Sequence, residues 1–212
     1  MDAPLTRVPA EFVGKARTFR SRIEAADTIA IRVIQTTSRM LTDRMQRHPV
    51  PRPEILAAVS RAWRVVMPPT GRISQELTLD RKALCIVETR LCPQRYHVSA
   101  WEADAWEPGV AVVRLSLRIA PYTRLSLSIQ NLCCASLHAL GRRFERGCQR
   151  TDDAIIADLA ALAAAHEALV EQPEGSSFDL PVADGRWLGS VLDVRTATGP
   201  QRMPVARTFV EG

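Results

Sequence analysis

"VAVVRLSLRIA", residues 110–120, decides the fold class of this 212-residue chain. Leu115, Leu117 and Ile119 alternate with Arg114, Ser116 and Arg118. A period of two gives an extended strand one wet face and one dry face. "TRLSLSIQ", residues 123–130, repeats the alternation. Further runs of strand character cover 73–79, 84–91 and 96–101, and with 110–119 and 124–129 they make five expected strands. The turn-type clusters "LDRK", "CPQR", "EADAWEPG" and "APYT" separate them, so the reading is an antiparallel meander. A sheet with a dry face needs helices to cover it.

Helices are expected on both sides of this region. Between Pro9 and Arg47 there is no further proline and only Gly14, and Phe12, Ala16, Phe19, Ile23, Ala26, Ala30, Val33, Thr37 and Met40 recur at spacings of four and three. That is one face of a long helix. Alanine and threonine on the stripe suit packing within the fold better than a coiled-coil seam, which wants larger residues. "HPVPRP" breaks this helix, and Pro53 sits where a first-turn proline belongs for a second helix running to about Val66. Residues 1–69 are therefore read as an N-terminal helical section and 70–212 as an α+β domain. Residues 132–147 are expected to form a first central helix. "RTDDAIIADLAALAAAHEALVEQPEG" is expected to form a second, capped by Thr151, with Asp152 and Asp153 in its first turn. "RWLGSVLDV" and "MPVARTFV" then read as C-terminal strands around a Gly199-Pro200 turn. The expected fold class is α+β: a helical section, an antiparallel sheet, two central helices and C-terminal strands.

Apolar runs stop well short of the roughly 18 residues a membrane span requires. The start, "MDAPLTRVPAEFVGKARTFRSR", has no apolar core of signal-peptide length, so a cytoplasmic protein is expected. The five cysteines, Cys85, Cys92, Cys133, Cys134 and Cys148, are an odd set with no C-x-x-C pair, read as reduced. No zinc or other metal pattern is visible, and no cofactor is expected. The net charge of +5 comes almost wholly from arginine, since Lys15 and Lys82 are the only lysines among 28 cations. Arginine suits bidentate contact with phosphate, although a GC-rich coding bias would also supply it. A pI near 9.3 points to an anionic partner.

"CCASLHALGRRFERG", residues 133–147, brings that charge beside an imidazole. Residues four apart on a helix lie one above the other, about 6 Å along the axis. His138, Arg142 and Arg146 thus form one row, with Glu145 alongside. Guanidinium groups can hold a phosphodiester and neutralise charge growing on its oxygens, while an imidazole gives or takes a proton near neutral pH. The row predicts a histidine whose neutral form the arginines favour. The same residues would also serve as a solvated charged face, with Glu145 pairing Arg142. His166, on the apolar stripe of the following helix, reads as a packed histidine, and His97 and His48 have no context that raises them.

Ser136-Leu137-His138-Ala139-Leu140-Gly141-Arg142-Arg143-Phe144-Glu145-Arg146-Gly147 resembles the S-x-H-A-x-x-R-x-x-x-R-G helix of toxin-like domains in the barnase, colicin and RelE-type ribonuclease superfamily. An acid-led second helix and a short antiparallel sheet follow it there, and the resemblance covers about 128–212. It implies a metal-independent endoribonuclease, a hydrolase acting on RNA, with an inhibitor protein as a further partner. His138 would be the general base or acid, Arg142 and Arg146 would bind and stabilise the phosphate, and Thr208 would complete the catalytic pocket. Arg207 and Arg143 would contribute to substrate binding, Arg143 from another helix face. The alternative reading is a non-catalytic module that uses the basic helix to bind nucleic acid or a protein.

Overall fold

A computed structural model of the chain describes residues 7–47, 52–79, 83–98, 106–120, 125–197 and 199–212. His48, and the expected strand ends at Trp101 and Arg124, lie outside the described residues. The elements run α1 (Ala10–Arg47), α2 (Pro53–Val66), β1 (Arg72–Leu79), β2 (Leu84–Val98), β3 (Glu107–Ile119), β4 (Ser126–Ser136), α3 (Leu137–Arg146), α4 (Asp152–Ala164), α5 (His166–Val170), β5 (Ser177–Val182), β6 (Gly185–Thr196) and β7 (Gly199–Glu211). The fold is α+β. The strands form one sheet in the order β1-β2-β3-β4-β7-β6-β5.

The sheet is mixed: β1–β2, β5–β6 and β6–β7 are antiparallel, while β4 and β7 run parallel with Cys134 opposite Val205 and Ala135 opposite Ala206. Parallel neighbours need a crossover of a dozen or more residues. Helices α3, α4 and α5 and the β5–β6 hairpin lie between them in the chain. This pairing was not legible from period-two alternation, which has no sense of direction.

Two compact units share the chain, one made of residues up to Ser21, Pro93–Val112 and Leu132–Gly212, the other of Arg22–Cys92 and Val113–Asn131. Each unit draws on segments from both sides of residue 69. Chain order therefore does not mark the units.

In the Arg22–Cys92/Val113–Asn131 unit, helices cover one face of a sheet. Ile23, Ala26, Ala30, Ile34 and Leu41 of α1 are buried, as are Leu56, Val59 and Trp63 of α2. Trp63 Nε1 donates to Glu88 at 3.0 Å and the Cys92 thiol donates to Asp27 at 3.2 Å, so Glu88 and Cys92 mark the covered face of β2. Glu88 is fully buried and also accepts from Arg90 at 2.8 Å and Gln75 at 2.9 Å. A buried carboxylate with three donors is satisfied, whereas one without them would strongly disfavour folding. On β3 the alternation is as the sequence predicts: Val113, Leu115, Leu117 and Ile119 are buried, Arg114 and Arg118 exposed.

The other unit closes a ring. His97 and Val98 of β2 pair with Arg195 and Val194 of β6, so β2, β3, β4, β7 and β6 return to β2. Tyr96, Val110, Val112, Trp187, Val191, Met203 and Phe209 are buried there, with the Trp187 and Phe209 rings edge-on at 5.0 Å. At Gly189, beside a bulge in the β6–β7 ladder, a Cβ would stand 2.1 Å from the Val205 carbonyl oxygen. Only glycine permits that approach.

Three local expectations change. "CPQR" lies inside β2 rather than in a turn, because the β1 pairing ends at Arg90 and Pro93 beyond it has no N–H to withhold from that neighbour. Residues 132–136 belong to β4 rather than to a helix, since Cys134 and Ala135 are held by the parallel pairing with β7. The segment 177–182, not read as a strand, is β5 in a hairpin with β6. As expected, Pro53 opens α2 and Thr151 caps α4, accepting from Ala154 N at 3.3 Å. The second central helix is broken at Ala165 into α4 and α5.

Candidate functional site

The site is built where β4 turns into α3. Ser136 ends the strand with extended backbone and caps the helix, its hydroxyl accepting from Ala139 N at 3.1 Å. An N-cap satisfies one of the donors that a helix start leaves open, so the change of element is fixed to this residue. His138 falls in the first turn as a consequence. The helix is nearly enclosed: Ala139, Leu140, Gly141, Arg142, Arg143 and Phe144 are all buried. The solvated charged face considered from spacing is therefore not how α3 is used.

His138 is half-exposed, yet its Nε2 is buried and has no hydrogen-bond partner among the described residues. Burial, first, and then the charges of Arg142 and Arg146 hold its pKa below the usual imidazole value, against the opposing pull of Glu107 and Glu145. Arg142 is buried and pairs with Glu145 at 2.6 Å. Arg146 is half-exposed and donates to the carbonyl of Phe209 on β7 at 3.1 Å. The predicted row thus exists, but Arg142 spends part of its charge on an internal carboxylate.

Two residues of this neighbourhood were not singled out in the sequence. Tyr96 is buried and donates its hydroxyl to Glu107 Oε2 at 2.8 Å. Burial raises the phenol's pKa far above its usual range, and the Glu107 carboxylate adds to that. Glu107, half-buried at the start of β3, acts on both Tyr96 and His138. It stood within "EADAWEPG", which reads as a turn, and nothing local tells a turn glutamate from one that a strand start aims inward. Arg207 is exposed on β7, one residue beyond the Ala135–Ala206 pairing, and its charge reaches Tyr96.

Arg143 corrects the substrate-binding assignment. It is fully buried: Nε donates to Asp158 at 2.5 Å, Nη2 to Asp184 at 2.9 Å and Nη1 to the Gln149 carbonyl at 2.9 Å, and the guanidinium lies 5.0 Å from the Phe209 ring. A cation so enclosed and neutralised ties α3 to α4 and to the β5–β6 turn and has no surface for a ligand. Gly147 belongs to the same knot, because a Cβ there would fall 1.5 Å from Arg143 Nη1. Thr208 is half-buried opposite Leu188 in the β6–β7 ladder and shares no hydrogen bond with His138, Arg142 or Arg146 among the described residues.

His166 is buried with Nδ1 2.5 Å from the Leu132 carbonyl, the packed histidine expected of it. The His97 ring lies 6.0 Å from Trp106. All five cysteines are free, Cys133 and Cys134 buried, and Cys148 exposed. Among the described residues no group of three or more His, Cys, Asp or Glu could hold a metal ion, and no helix is long and apolar enough to cross a membrane. Comparison of the chain with protein families, with curated proteins and with solved structures gives no match.

Proposed function

We propose that the β4–α3 junction is an acid–base site that cleaves RNA without a metal, with His138 as the proton-transfer residue and Arg146 and Arg207 as the phosphate-binding cations. One observation carries the reading: a half-buried imidazole, kept towards its neutral form, whose buried Nε2 has no hydrogen-bond partner among the described residues. Nε2 is buried, so the ring or its neighbours have to turn before that nitrogen meets a substrate hydroxyl and accepts its proton. In the reaction His138 takes the proton of a ribose 2′-hydroxyl as its oxygen bonds to the adjacent phosphorus. The bond from phosphorus to the 5′ oxygen breaks, that oxygen takes a proton from water, and a 2′,3′-cyclic phosphate remains. Glu107, held by Tyr96, favours the charged form of the imidazole once the proton has moved.

Replacing His138 by alanine tests this. Loss of a general base lowers turnover by about 10²- to 10⁴-fold, and a half-exposed side chain without hydrogen bonds at Nε2 contributes little to folding, so the expected result is lost RNA cleavage at a nearly unchanged melting temperature. Unchanged cleavage by His138→Ala removes the catalytic reading. A second reading, a non-catalytic RNA-binding module, is favoured by the burial of the His138 Nε2 atom. It is distinguished by intact RNA that stays bound to the wild-type protein.

A further inference from the structure

The chain's positive charge is not where the His138 site is. The Arg22–Cys92/Val113–Asn131 unit carries fifteen Lys and Arg against seven Asp and Glu, a net +8, while the unit containing His138 carries thirteen against sixteen, a net −3. A coding bias towards arginine replaces lysine evenly along a chain, but it does not gather an excess of cations into one unit that chain order does not delimit. Both units hold carboxylate-paired arginines, Arg72 and Arg90 of the +8 unit sharing Glu88. Arg142, Arg143, Arg186 and Arg202 of the −3 unit all sit on carboxylates. Arg32, Arg39, Arg61, Arg64, Arg114 and Arg118 of the +8 unit are exposed, and none of them pairs with a described carboxylate. Unpaired like charges repel, so a surface of this kind is stabilised by a polyanion.

We propose that this unit is a platform for the phosphate backbone of single-stranded RNA, and that the strand lies on the sheet face left open by α1 and α2. Arg114 and Arg118 project there, about 13 Å apart along β3 at the rise of an extended strand, with Ser116 between them. Ser74 and Thr78 are exposed on the same face of β1, since Gln75 and Leu77 between them pair with Glu88 and Ile86 of the covered side. Glu76 is the acidic residue on that face. Guanidinium and hydroxyl donors on an open, extended surface match a row of phosphates, and such donors hold a strand without reading its sequence. Only the choice of RNA as the polymer rests on the proposed activity. The charge and its placement do not.

Binding of a fluorescent single-stranded RNA to the full-length protein, followed by anisotropy over a range of salt, tests the platform. For a single strand, every phosphate deprived of its cation lowers the slope of log affinity against log salt by about 0.7, which at about 0.05 M salt is roughly eightfold in affinity. Arg114→Ala with Arg118→Ala is expected to lower the slope by about 1.4, whereas Arg202→Ala, on a paired arginine of the other unit, leaves it unchanged. An unchanged slope for the sheet-face pair overturns the proposal. So does weakening seen only when Arg32, Arg39, Arg61 and Arg64 are replaced, which would put the anion on the helices, or equal weakening of binding to anionic phosphatidylglycerol vesicles, which would make the partner a membrane. His138→Ala, by contrast, should leave RNA affinity intact, so failure of catalysis and failure of the platform give different results.

Discussion

Burial and the Arg142 guanidinium both disfavour protonated His138, and this fixes the sign of its pH response. The folded protein binds the proton less readily than the unfolded chain, whose imidazole titrates near 6.5. Nothing is gained or lost above that pH, and acidification through it favours the unfolded state. The acid limb of cleavage, and the midpoint of the imidazole's NMR titration, should accordingly lie below 6.5, and Arg142→Gln should move both upward. A titration midpoint at or above 6.5 in the wild type contradicts this account. Gly147→Ala makes a second prediction at this scale. Its Cβ would occupy the place of Arg143 Nη1, so it should cost about as much as removing Arg143, roughly 3–5 kcal/mol for one partner of a buried ion pair. Denaturant unfolding of the double variant should show less than the sum of the two. Spacing placed His138, Arg142 and Arg146 on one row, but could not say that Arg143, of the same chemical type and adjacent in sequence, is an internal cation. That depends on Asp158 and Asp184, which folding brings from 15 and 41 residues away.

Ser136 is where one element hands over to the next. Its hydroxyl holds the start of α3, and alanine there should destabilise the protein by about 1 kcal/mol. Because His138 stands in that first turn, cleavage should fall further than stability does, which turnover measured well below the melting temperature would show. Equal cleavage by Ser136→Ala and wild type would mean that the cap does not position the imidazole. Helices α1 and α2, the cap at Thr151 and the alternation on β3 were legible because each signal is local: a 3.6-residue stripe, a first-turn proline, a cap side chain, a period of two. The run 132–136 was misread as helix for the same reason. Cys133, Cys134 and Ala135 are apolar on every side, and a short buried strand cannot be told from a buried helix turn by periodicity. Its pairing with β7, about seventy residues later, settles the matter.

At the scale of the molecule the charge is divided between two units, and each has its own consequence. Mutual repulsion within the +8 unit opposes folding and is screened by salt, whose Debye length falls from about 30 Å at 0.01 M to about 3 Å at 1 M. The melting temperature should therefore rise with sodium chloride over that range, and less so after Arg114→Ala and Arg118→Ala. A melting temperature that falls with salt would indicate that attractive pairs dominate instead. RNA binding should respond in the opposite sense, weakening as the same salt is added. By itself the sequence determined the α+β class, the long helices, the wet and dry sides of β3, the row on α3 and the arginine excess, because these follow from composition and from neighbours within a few residues. Tertiary structure alone decided the parallel β4–β7 pairing, the closing of the strand ring, the capture of Arg143, the meeting of Tyr96 and Glu107 near His138, and the gathering of the excess positive charge in one unit. All of these join residues far apart in the chain, and such a meeting is fixed by packing the whole core at once rather than by any segment's own preference.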